Sequence, residues 1–266
     1  MEGLESNCGW STDSLFPQAY FTPLVRLQDG LHVKMENCLP GNNAVSRALQ
    51  AIYEKRERRG EARSGMSVRA DIHEDEVLSF LSFCFWHGLR PVIAPEMHVP
   101  GGLEGAVMRG RDAELFLDLN GDEEGARAYY RYTGVELWSQ AGGEITDIVV
   151  PVRDGRIISG LGAFFRERNE NIRIVAVLQG ERTEERFGGI RRHVESLPPA
   201  LNPSVIDRSF TVSPQDAERS RVDLFKSRGL ISGPRGAAAV HVAKMILRED
   251  PSASVIAVVP DYLCPV

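Results

Sequence analysis

Short apolar runs alternate with helical patterns along most of this 266-residue chain, and that alternation restricts its fold more than any other feature. Segments 31–35, 65–72, 89–94, 114–118, 145–150, 172–178 and 254–259 read as strands. Between them, 44–59, 74–87, 102–111, 122–132, 158–168, 214–228 and 236–248 read as helices. Residues 1–23 read as an irregular arm, and 180–210, with prolines at 198, 199 and 203, as a long irregular segment. Strands joined by helices at this spacing predict an α/β fold of open, mostly parallel sheets, two of them. With 42% hydrophobic residues the chain can bury one large core or two moderate ones.

The stretch Leu31–Tyr53, LHVKMENCLPGNNAVSRALQAIY, organises the rest. Leu31, Val33 and Met35 alternate with His32 and Lys34 as a strand does, and Pro40-Gly41-Asn42-Asn43 breaks it. A helix follows from about Ala44, with Asn42 and Asn43 suited to accept from its first amides. Gly60 reads as its C′ residue, Gly88 ends the helix 74–87, and Ser213-Pro214 opens the helix 214–228.

A net charge of −6, with 37 acidic and 31 basic residues interspersed, argues against a nucleic-acid surface, which needs a basic stripe. The start, MEGLESNCGW, is too polar and acidic for a signal peptide, and no apolar run approaches a membrane span, so a cytoplasmic protein is expected. Cys8, Cys38, Cys84 and Cys264 lie far apart with no metal-ligand spacing, which predicts reduced thiols and no structural zinc. Only four residues are lysine: Lys34, Lys55, Lys226 and Lys244. Arginine, the dominant base here, does not condense with aldehydes as lysine does.

Lys34-Met35-Glu36, Pro40 and Arg47 carry a resemblance to the cysteine synthase family, the β-replacing enzymes of the type II pyridoxal-phosphate (PLP) fold. Thr133-Gly134-Val135-Glu136-Leu137-Trp138, Asp147–Val150, Ser159–Gly162 and Pro198–Leu201 extend it. So does the tail, from Val212-Ser213 through Gly229-Leu230-Ile231 and Ala238-Ala239-Val240 to Val258-Val259-Pro260-Asp261. The resemblance implies two lobes, each with a mostly parallel sheet flanked by helices. Residues 36–125 would form the smaller lobe, and 12–35 with 126–266 the larger.

It also implies where a PLP site would lie, and there the chain departs from the family. The Schiff-base lysine falls on Val45. The glycine-rich phosphate loop falls on Arg153-Asp154-Gly155-Arg156-Ile157, which reads as a solvated turn. The loop for the substrate carboxylate falls on Ile72-His73-Glu74-Asp75-Glu76, whose acids would repel an anion. The serine for the pyridine nitrogen falls on Gly236, and a wall segment between Arg127 and Thr133 is missing. These departures predict that no PLP is bound. The expected function is a cysteine-synthase-like pseudoenzyme acting as partner, regulator or scaffold in amino-acid-derived metabolism. It would be a homodimer or a heteromer with an active homologue, with a small molecule as a conceivable ligand of the cleft.

Two alternatives stay open. One is changed chemistry in the remnant cleft, with His73 beside Asp71, Glu74 and Asp75 as an acid/base pair or metal site; the blander reading is acids favoured at a helix start. The other is a divergent PLP enzyme.

Overall fold

The structure is a computed structural model that describes residues 21–185 and 197–262. Strands β1 (Leu24–Gln28) and β2 (Leu31–Met35) form a hairpin, after which the chain turns through Pro40–Asn42 into α1 (Val45–Arg58). Gly41 has φ +74°, and a Cβ there would lie 2.2 Å from the backbone of Ser79, so only glycine fits. Asn43 stands just ahead of the helix, its Oδ1 accepting from the Val45 amide at 3.1 Å. Val45, Ala48, Leu49, Ile52 and Tyr53 recur at helical spacing and are each at most 2% exposed. One face of α1 is therefore sealed.

Next come β3 (Ser67–Ala70), α2 (Val77–Trp86), β4 (Arg90–Ile93), β5 (Met108–Arg109) and β6 (Leu115–Leu117). The four strands form a parallel sheet in the order β5-β4-β3-β6. Val68, Ile93 and Leu117 from this sheet share a core with Phe80 and Phe83 of α2 and with the buried face of α1.

The remaining helices and strands build a larger sheet. They are α3 (Glu124–Ala128), α4 (Val135–Gln140), β7 (Asp147–Pro151), α5 (Arg156–Arg168), β8 (Arg173–Gln179), β9 (Glu184–Glu185), β10 (Arg208–Val212), α6 (Pro214–Arg228), α7 (Pro234–Glu249) and β11 (Val255–Val259). The order is β1-β2-β11-β7-β8-β10-β9, with the five inner strands parallel and β1 and β9 antiparallel at the edges. Every residue of β7 and β11 is buried, as expected where helices cover both faces. The chain thus has the expected α/β architecture of two largely parallel sheets flanked by helices.

Three expectations need correction. No helix spans 102–111: three glycines, at 102, 105 and 110, each cost a helix about 1 kcal/mol relative to alanine, and the segment forms a short turn and β5. The helix at 122–132 runs on to Gln140, passing through a π-helical turn at Tyr129–Gly134. The segment 180–210 is not wholly irregular, since Glu184–Glu185 and Arg208–Val212 are strands. β10 pairs with β8, a partner distant in sequence, so no local turn signal announces it. Cys8, Cys264 and His193 lie outside the described residues.

Beneath α1 the lysine and arginine of the family-like segment meet two carboxylates. Lys34 Nζ donates to Glu136 at 2.7 Å and to the Thr22 carbonyl at 2.8 Å. Arg47 bonds Glu36 at 2.8 Å and Glu136 at 2.8 Å. Hydroxyls of Thr22 and Thr133 complete the shell of Glu36. Among the described residues no helix is long and apolar enough to cross a membrane.

Candidate functional site

Parallel strands leave a crevice at their carboxyl ends, where the loops entering the next helices converge. Here the convergence joins the turn after β3, the β7–α5 connection, the start of α7 and the residues after β11. Val45 opens α1 at the same place, 1% exposed, and helps to line a cavity of about 20 Å³ with Glu76, Tyr129, Arg156 and Pro260. That is room for about one water molecule. A larger cleft of about 470 Å³ lies alongside, lined by Asp75, Val152, Arg153, Leu178, Arg235 and Asp261 among others.

The β7–α5 connection is not a solvated turn. Arg156 is 3% exposed, and Glu76, fully buried, accepts from both Arg156 (3.2 Å) and Arg153. Asp154 accepts from the Arg156 amide at 3.0 Å and from its guanidinium at 2.9 Å. Asp75 takes Arg153 through both oxygens, at 2.8 and 3.1 Å, and bonds Arg235 and the Asn43 amide nitrogen as well. Arg235 in turn reaches Asp261 at 3.2 Å. The acids of segment 72–76 therefore do not form a bare anion-repelling loop, because two of the three are neutralised across the crevice.

Burial pushes the Asp154 carboxyl up, but Arg156 and Arg153 outweigh it and hold it below the ordinary range. Asp75 follows the same logic through Arg235 and Arg153. At Asp261 burial wins and the carboxyl is raised, with Arg235 and the Gly236 amide only partly offsetting it. Both Nε and Nη1 of Arg156 are buried with no partner among the described residues.

Gly155 caps α5 in the left-handed region, φ +91°, and a Cβ would lie 2.5 Å from Leu201. Ile157 lines the small cavity. Gly236 is buried, its amide donating to Asp261 at 3.1 Å, and a Cβ there would meet Ser232 Oγ at 2.6 Å.

The His73 grouping is not assembled. His73 and Glu74 are exposed, and Asp71 instead ties down the amides of Leu119 and Asn120. Asp75 belongs to the arginine network. Among the described residues no three His, Cys, Asp or Glu side chains are grouped to hold a metal. Sequence reading passed over Asn43, Arg235 and Asp261 as site residues, since each comes from a different segment and the one local signal among them, at Asn43, is that of a helix start.

The model of the family described as pyridoxal-phosphate dependent enzymes matches residues 106–261, more than half of the chain. The chain belongs to that family. It is similar to cysteine synthase B of Escherichia coli (strain K12), 28% identical over 90% of this chain and 89% of that one. To cysteine synthase B of Salmonella typhimurium it is 27% identical over the same shares. Cystathionine beta-synthase of Apis mellifera is 25% identical over 66% of this chain and 36% of its own length.

Family membership overturns the expectation that no cofactor is used: a family defined by its dependence on pyridoxal phosphate points to PLP binding. The two cavities of the crevice are lined by other residue types than lysine. None of the four lysines lines either cavity. Lys34 is held in the network under α1, Lys55 pairs with Asp122 at 2.8 Å, Lys244 pairs with Asp223, and Lys226 is exposed.

Proposed function

We propose that the chain is a cysteine-synthase-like pseudoenzyme, a binding partner, regulator or scaffold in amino-acid-derived metabolism that keeps the fold of its relatives without their β-replacement. Val45 carries this reading. It stands in the cavity wall where the resemblance puts the reactive amine, and an aliphatic side chain neither bonds an aldehyde nor moves a proton. Assembly as a homodimer, or with an active relative, belongs to the same reading. The likeness to two cysteine synthases over 90% of the chain favours a second one, cysteine-synthase-like turnover.

Purified protein treated with PLP, then borohydride, and mapped by mass spectrometry separates the two. The pseudoenzyme reading expects no reduced lysine adduct and no cysteine formed from a β-substituted serine and sulfide, even if PLP is held non-covalently. Val45→Lys should then acquire the adduct. A modified native lysine together with cysteine formation would establish turnover instead.

A further inference from the structure

Asp75 lines the 470 Å³ cleft and is bonded to donors from three other segments: Asn43, Arg153 and Arg235. Two guanidinium groups and an amide converging on one carboxylate form a ready-made carboxylate site, and the chain fills it with its own side chain. Asp75 is 29% exposed on its side chain and lines the cleft, whereas the more buried Glu76 and Asp154 also pair with Arg153 and Arg156. Removing the Asp75 charge leaves Arg153, Arg156 and Arg235 facing Glu76, Asp154 and Asp261, three guanidinium groups against three carboxylates, so the arginines keep partners without it. Beyond the arginines the cleft wall is apolar, with Val152, Val177, Leu178 and Ala238.

We infer that this cleft binds a small organic acid with an apolar body, whose carboxylate displaces Asp75 from Arg153 and Arg235. Asp75 is then an internal competitor that keeps the site latched until such a ligand arrives. This goes beyond the pseudoenzyme reading and holds whether or not the cleft turns over a substrate.

Benzoate, with benzamide as its neutral counterpart, tests the inference by titration calorimetry on the full chain. When an internal group occupies the donors, apparent affinity falls by the fraction of time they are free, so Asp75→Asn should bind benzoate at least about tenfold more tightly than the native chain. Adding Arg235→Gln should abolish that binding, and benzamide should bind neither form. Asp75→Ser is a second variant read the same way should Asp75→Asn fold poorly. Equal benzoate affinity with and without Asp75, binding that survives Arg235→Gln, or equal binding of benzamide would each overturn it.

Discussion

Two ionic networks lie within this molecule, and they differ in what they leave open. Under α1, Lys34 and Arg47 face Glu36 and Glu136, all with side chains at most 6% exposed, and threonine hydroxyls fill in around Glu36. In the crevice, Arg153, Arg156 and Arg235 face Asp75, Glu76, Asp154 and Asp261, with side-chain exposures up to 29%. There Arg156 keeps two buried donors unpartnered among the described residues, and a cleft adjoins. The first network is shut away from solvent and locks β2 to α1 and α4. The second borders space that a ligand can enter, so its ion pairs can be exchanged for others.

The largest effect that would break this contrast comes from the closed network. Arg47→Met leaves two buried carboxylates sharing one lysine, and removing one partner of a buried pair costs about 3–5 kcal/mol. Chemical denaturation should show that loss, and a loss under 1 kcal/mol (roughly what a surface pair contributes) would mean the network is far less enclosed than described.

Glu76→Gln should cost less, about 1–3 kcal/mol. It removes the negative charge common to Arg153 and Arg156, yet Arg156 keeps Asp154 and Arg153 keeps Asp75. A cost equal to that of Arg47→Met would erase the distinction between the two networks.

The smallest effect sharpens the comparison through pH. Asp75 and Asp154 are held below their ordinary range, so their contribution is present above the unfolded carboxylate value of about 3.9 and lost as pH falls through the lower folded values. Asp261, raised by burial, acts in the opposite sense: its contribution is present at low pH and drains away as pH rises through its folded value. In thermal melts the native chain should exceed Asp154→Asn most at neutral pH, with the gap closing in acid. A gap that widens in acid would contradict the assigned ionisation.

Elements with local signals were legible. Asn43 at the start of α1, the left-handed Gly60 after its end and Ser213-Pro214 at the start of α6 act within a turn of chain, and their neighbours are enough to specify them. β10 was not legible, because Arg208–Val212 becomes a strand by pairing with β8. The segments that the resemblance singled out line neighbouring cavities in the folded chain, but Arg153-Asp154-Gly155-Arg156 reads as a wet turn until Glu76, from a distant segment, is set against it.

By itself, then, the order of residues settled the alternation of strands and helices, the family and the valine at the head of α1, since each is a matter of periodicity or position. Which charges meet was decided only by the folded chain. Asp75, Arg153 and Arg235 are far apart in sequence, and an ion pair depends on distances that exist only once the segments after β3 and β7 and the start of α7 have been brought to one crevice.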